Sequence, residues 1–223
     1  IFFCKKNFKK IIFLHVPHCG GNTLHRFLKY NFGFRGKKII TDNNNEISKI
    51  LEDGKDNFYN FGHFGFDFMY KNFNDKSFFY LLNVRNPKNI YLSNYYRDKK
   101  YNAIGDPGNK FPSLEEFLKN KKNSNRDNIL CRYLSGLFIY KNNKTIMTRD
   151  IYENAVKNLD MFKLVFIIEN SDACLTELPK KLNIKLNYAK IFYNKANKHS
   201  NSEYPAISEE AKEILESMTY YDN

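Results

Sequence analysis

The stretch Ile11 to Phe32, IIFLHVPHCGGNTLHRFLKYNF, constrains this chain more than any other. Ile11 to Val16 is a short, β-branched apolar run, the mark of a buried strand. Pro17 to Asn22 is a loop with paired glycines. From Thr23 on, Leu24, Phe27 and Leu28 recur at helical spacing, which predicts a helix over Leu24 to Phe32. A strand that feeds a glycine loop at the head of a helix suits an anion. The glycines let backbone approach closely, and the first N–H groups of the helix have no partner of their own.

The rest of the chain supplies strands to pair with this one. Ser77 to Val84, SFFYLLNV, reads as a second buried strand, and Leu164 to Ile168 as a third. Lys38 to Thr41 and Phe58 to Phe64 are strand-like patches. Helices are predicted between them: Glu46 to Glu52 behind an Asp42 to Asn45 cap, Pro87 to Arg97, a helix opened by Ser113 with Glu116 three residues on, and one from Asn125 or Asp127 to Leu134. Asp150 to Leu159, Ser171 to Leu178 with Pro179 ending or kinking it, and Ser208 to Met218 follow. Asp67 to Phe73 fits helix or loop, and Lys99 to Pro112 and residues 141–148 read as loops. Strands that alternate with helices predict an α/β fold with a mostly parallel central sheet. At 223 residues the expectation is one domain, with residues 1–8 as a lead-in.

Composition narrows the partners. The net charge of +12 points to a polyanionic or phosphorylated ligand, or to A/T-rich coding drift, since lysine far outnumbers arginine. No zinc-finger, RNP or basic-zipper pattern appears, so no nucleic-acid partner is expected. No apolar run is long enough to span a bilayer. Cys4, Cys19, Cys131 and Cys174 are scattered without metal-ligand spacing, so no metal is expected; disulfides and buried thiols both stay open.

The loop does not fit the commonest phosphate binders. A triphosphate loop needs Lys immediately before its hydroxyl residue, and Asn22 stands there before Thr23. The dinucleotide pattern G-x-G-x-x-G is also missing. Instead, HVPHCGGNTL resembles the H-[IV]-P-K-T-G-G-T-[ST]-L loop of carbohydrate sulfotransferases related to heparan sulfate 2-O-sulfotransferase. Further stretches match that family in order. Gly62-His63-Phe64 resembles its G-H-[FV] segment. Leu82 to Pro87, followed by Tyr91 to Tyr96, resembles R-[DN]-P-x-x-R-x-x-S-x-[YF]-Y. Asn128 to Gly136 resembles N-x-x-x-R-[YF]-L-x-G, and Ala155 to Leu182 resembles a stretch that carries Glu169 before a helix.

The resemblance implies a P-loop-like fold and a PAPS-dependent enzyme (3′-phosphoadenosine 5′-phosphosulfate). Such an enzyme moves a sulfuryl group to a hydroxyl acceptor, here expected to be a glycan, and leaves adenosine 3′,5′-bisphosphate. It implies that His18, Cys19, Gly20, Gly21, Asn22 and Thr23 hold the 5′-phosphosulfate, with Thr23 also fit to cap the helix. Arg85 and Ser93 resemble the family's 3′-phosphate pair, and a guanidinium suits bidentate phosphate contact. His63 resembles its general base, a role that suits neutral imidazole. Arg132 is a candidate substrate contact or a structural residue. His15 is expected to support the loop, and His25 and His199 to lie on the surface.

Two departures stand out. His18 occupies the position of the family's loop Lys, and a His carries full charge only when protonated. Either His18 does the same work, or another cation such as Arg26 or Lys37 reaches in, or catalysis is weakened. Ile90 and Asn89 replace the second Arg of the R-[DN]-P-x-x-R block. The alternatives carried forward are a nucleotide- or polyanion-binding module of the same fold with weakened catalysis, and a small-molecule kinase on a related loop.

Overall fold

A computed structural model describes residues 10–31, 36–39, 58–62, 65–105, 110–137, 145–183 and 204–223. Five strands form one sheet: β1 (Ile11–His15), β2 (Gly36–Ile39), β3 (Phe58–Gly62), β4 (Phe79–Val84) and β5 (Leu164–Ile167). The order is β2-β3-β1-β4-β5, and every pair is parallel. The expected Glu46 to Glu52 helix lies outside the described residues, as do His63, Phe64, His199 and Cys4.

The apolar runs are continuous because β1 and β4 are covered on both faces. Residues alternate between two cores, as the two-residue period of a strand requires. Ile11 and Phe13 of β1 and Phe79 and Leu81 of β4 face one layer. That layer is α1 (Gly21–Asn31), through Leu24, Phe27 and Leu28, and α7 (Ser171–Leu182), through Leu175, Leu178 and Leu182. Ile12, Leu14, Tyr80 and Leu82 face the other side. There they meet α2 (Phe66–Asn72), α5 (Ile129–Leu134) and α6 (Arg149–Leu159). Each of these fully buried Leu, Ile and Phe side chains contributes about 1.5–3 kcal/mol over its exposed state. A third cluster joins α3 (Pro87–Gly105), α4 (Leu114–Asn123) and α8 (Glu209–Met218) through Tyr91, Tyr95, Phe117, Leu118 and Leu215.

Several boundaries differ from the sequence reading. Helix α3 runs on to Gly105, so the first part of the expected Lys99 to Pro112 loop is helical. Lys99 to Ala103 contains neither Gly nor Pro to stop it. Pro179 does not end α7, which continues to Leu182. Leu175, Leu178, Pro179 and Leu182 are all buried together, and that burial offsets the lost helix hydrogen bond. Thr148, not Asp150, caps α6: its hydroxyl accepts from the Ile151 N–H at 3.4 Å, and Asp150 sits inside the first turn. The helix expected from Asn125 or Asp127 starts at Ile129, after Asn128 in the left-handed region. The Asp67 to Phe73 stretch is helical, as α2. Ser113 and Glu116 close a reciprocal capping box, and Ser208 caps α8.

The chain order places a switch point in the sheet. The connection after β1 leads outward to β2, and that after β4 leads the opposite way, to β5. The crevice between β1 and β4 therefore opens at their C-terminal ends. Ligands of open α/β sheets bind at such a crevice.

Candidate active site

The loop after β1 and the turn after β4 meet in this crevice. His15 of β1 is in register with Asn83 of β4 on one side and Gly62 of β3 on the other. Asn83 is fully buried, and its carboxamide anchors the loop. Its Oδ1 accepts from the Val16 N–H at 2.9 Å. Its Nδ2 donates to the carbonyls of Cys19 at 2.6 Å and Val16 at 3.3 Å. Sequence reading assigned Asn83 no role. The available signal was one polar residue inside an apolar strand, a position that requires a buried partner.

The glycines have distinct reasons. Gly20 has φ +72°, and a Cβ there would also overlap the Ile168 side chain. Gly21 has ordinary backbone, but a Cβ would run into the imidazole of His15. That ring is buried and stacked on Phe13 at 5.6 Å. Helix α1 begins at Gly21, so Thr23 lies inside its first turn and is not its cap. The turn closes through the Gly20 carbonyl, which accepts from Thr23 N–H at 3.0 Å and Leu24 N–H at 3.3 Å. The N–H groups of Gly20, Gly21 and Asn22 make no hydrogen bond to other described residues. They form the open end of the helix, where an anion is favoured.

Cys19 is a buried thiol whose Sγ lies 3.5 Å from the Pro17 carbonyl. Burial holds its pKa well above the usual thiol range, so at neutral pH it is unreactive. Cys131 and Cys174 are likewise free and buried.

His18 has φ +62°, in the left-handed region that is uncommon for residues other than glycine but is adopted more often by Asn, Asp and His. Burial lowers its pKa to about 4; Arg97, Arg85 and Lys121 push in the same direction and Asp98 opposes them. At pH 7 the imidazole is neutral. Of the substitutes considered for the loop cation, Arg26 is exposed on α1, and the side chain of Lys37 lies outside the described residues.

Arg85 closes the other side. It is 9% exposed, although it follows a strand end, where side chains are commonly solvated. Nη1 donates to the His18 carbonyl at 3.3 Å and Nη2 to the Tyr204 hydroxyl at 3.0 Å. Nε is buried, has no hydrogen bond among the described residues, and lies 3.9 Å from Glu169 Oε1. The same Glu169 oxygen accepts from the Asn86 N–H at 2.9 Å, which fixes the turn into α3. Asn86 Oδ1 then accepts from the Lys88 N–H at 3.0 Å and caps that helix. Ser93 is half-buried two turns along α3, and its hydroxyl makes no hydrogen bond to other described residues. Tyr204 stacks on Tyr96 at 5.5 Å beside Arg85. Sequence reading missed Tyr204.

Arg132 belongs elsewhere. It is 1% exposed, its Nη2 lies 2.6 Å from Asp127 Oδ1, and Nη1 donates to the Thr145 carbonyl at 2.9 Å. With Nε on the Asp127 carbonyl at 2.8 Å, the guanidinium is spent on bracing α5 and presents no face to a substrate. That replaces the substrate-contact expectation with a structural role. Among the described residues no group of three or more His, Cys, Asp or Glu side chains is placed to hold a metal ion. No helix among them is long and apolar enough to cross a membrane.

A parallel α/β sheet with a glycine loop at its switch point, opening an anion-seeking helix end beside a buried arginine, is a P-loop-like architecture built to hold an anion. Within that class the chain belongs to the Sulfotransferase family, whose family model matches residues 1–223. No curated protein matches the chain. Membership makes sulfuryl transfer to a hydroxyl the chemistry of the family.

Proposed function

We propose that the protein transfers the sulfuryl group of PAPS to a hydroxyl of a carbohydrate. The observation that carries this reading is the pairing, across one crevice, of the open loop N–H groups with buried Arg85. Two phosphate-sized anions on one ligand would use both. Residues 18–23 would hold the 5′-phosphosulfate, and Arg85 with Ser93 the 3′-phosphate. The cradle fits: Asn83 fixes the loop backbone, and Gly20 and Gly21 leave no bulk in front of it.

The step is an in-line displacement. The acceptor oxygen bonds to sulfur as the bond from sulfur to the bridging oxygen breaks, and that oxygen leaves on adenosine 3′,5′-bisphosphate. The acceptor proton passes to a base. His63 is proposed for this role, as the residue that follows Gly62, itself in register with His15. Negative charge grows on the leaving phosphate, where loop N–H groups are best placed to offset it.

Incubation with sulfur-labelled PAPS and a panel of oligosaccharides tests this reading. Label in a hydroxyl-linked, base-stable ester on at least one sugar is expected. Label only in free sulfate across a broad panel would contradict it. One observation favours a second reading, a binding module without turnover: His18 is neutral at pH 7 and brings no charge to the leaving group.

A further inference from the structure

Arg85 has a long side chain with many rotors, and a two-pronged grip on a phosphate is strongest when its guanidinium plane is fixed beforehand. Two of its neighbours fix it weakly. The bond from Nη1 to the His18 carbonyl is long, at 3.3 Å, and Glu169 stands 3.9 Å from Nε, beyond hydrogen-bond reach. The Tyr204 hydroxyl accepts from Nη2 at 3.0 Å, the shorter of the two hydrogen bonds that this guanidinium makes to described residues. The guanidinium carbon lies 5.9 Å from the Tyr204 ring centre, so the hydroxyl carries the contact more than the ring face does. A hydroxyl is also a neutral acceptor. It holds the guanidinium and leaves its charge for an anion, which a carboxylate in the same place would not do.

Tyr204 is itself firmly seated. Its ring lies parallel on that of Tyr96, with centroids 5.5 Å apart and planes 8° apart. Tyr96 is three residues beyond Ser93 on α3, so the two share a helix face, and the stack sets Tyr204 along the face that carries Ser93. Tyr204, Ile207 and Ile214 pack against the cluster that joins α3, α4 and α8. Ser208 then caps α8, whose Ala211, Leu215 and Met218 are fully buried. The hydroxyl is therefore delivered to Arg85 from a stretch anchored on both sides, by the Tyr96 ring and by α8.

We propose that Tyr204 is the positioning residue of Arg85: seated on Tyr96, its hydroxyl fixes the guanidinium for the 3′-phosphate and so sets the preference for a 3′-phosphorylated nucleotide. The proposal rests on the PAPS reading above. It gives the last segment of the chain a part in cofactor selection, through one hydrogen bond to the end of β4.

Calorimetry of Tyr204→Phe with adenosine 3′,5′-bisphosphate and with AMP tests it. Phe keeps the ring and its stack and removes only the hydroxyl. Bisphosphate affinity should fall about tenfold, since the lost bond engages a charged group, and AMP affinity should change by less than about twofold. In an Arg85→Gln background the same substitution should change either affinity by less than about twofold, because no guanidinium is left to hold. A residue that only supported the fold would weaken both nucleotides, with or without Arg85. Tyr96→Leu, which removes the seat, should lower the preference for the bisphosphate about threefold. Urea melts confirm that each variant is folded at the titration temperature. Unchanged or tighter bisphosphate binding in Tyr204→Phe, equal loss of the two nucleotides, the same loss in the Arg85→Gln background, or an unchanged preference in Tyr96→Leu overturns the proposal while the PAPS reading stands. No binding of the bisphosphate to the unsubstituted protein removes the PAPS reading, and the positioning role with it.

Discussion

Asn83→Ala isolates the contact that turns a strand end into a binding loop. The carboxamide makes three hydrogen bonds to loop backbone, at 2.6, 2.9 and 3.3 Å, and is fully buried. Each buried bond contributes about 1 kcal/mol net, and a buried N–H or C=O left without a partner costs about 1–3 kcal/mol. Val16 N–H loses its partner outright, and the Cys19 carbonyl loses its shortest bond. The expected destabilisation is therefore about 3 kcal/mol, a large share of a typical domain's stability. Urea unfolding at pH 7.5 measures it. Binding should suffer as well, because the loop N–H groups are aimed by the backbone that Asn83 holds. Adenosine 3′,5′-bisphosphate affinity should fall at least tenfold under conditions where the variant stays folded. Asn83→Asp should be no better, since a carboxylate cannot donate to the Cys19 and Val16 carbonyls and would repel an anion. A loss below about 1 kcal/mol with unchanged affinity would refute the anchoring role.

Gly21→Ala should destabilise the protein by about 2 kcal/mol or more, because the new methyl displaces the His15 imidazole; a melt within 1 °C of the unsubstituted protein would contradict that packing. Glu169→Ala should cost about 1–2 kcal/mol by releasing the Asn86 N–H, and Glu169→Gln, which keeps an acceptor there, should recover most of it. Equal losses in those two would assign the effect to charge instead. For His18, the folded pKa of about 4 lies below the unfolded 6.5, so both states are neutral above pH 6.5. As pH falls below 6.5 the unfolded chain takes up the proton first and stability is lost, by about 2 kcal/mol at pH 5. His18→Asn tolerates the left-handed backbone and lacks this loss, so urea melts of the two proteins should converge or cross between pH 7.5 and 5; parallel curves would show that His18 is solvated.

The strands were legible because burial on both faces makes a parallel strand a nearly continuous apolar run, as in IIFLH and FYLLNV, where only His15 and Asn83 interrupt it. The glycine loop was legible because its residues have few other uses in such a place. Helix ends were harder. Nothing local to Pro179 reveals that Leu178 and Leu182 are buried around it, and that tertiary fact decides whether α7 continues. Thr148 and Asp150 are both good caps by residue type, and only the backbone geometry picks between them. In the site, Arg85 could be singled out from its strand end and motif. Its partners could not: Tyr204 arrives 119 residues later and Glu169 from the end of β5. His18 is the reverse case. Its departure from the family pattern was visible in sequence, whereas its burial and neutral state came only from the fold.

The central claim is that one crevice holds a nucleotide with both a 5′ and a 3′ phosphate. Calorimetric titration of the protein with adenosine 3′,5′-bisphosphate and with AMP, repeated for Arg85→Gln, tests it most directly. The account predicts that the bisphosphate binds at least tenfold more tightly than AMP, and that Arg85→Gln removes that preference while leaving AMP affinity within about threefold. Equal affinity for the two nucleotides, or a preference that survives Arg85→Gln, would contradict it.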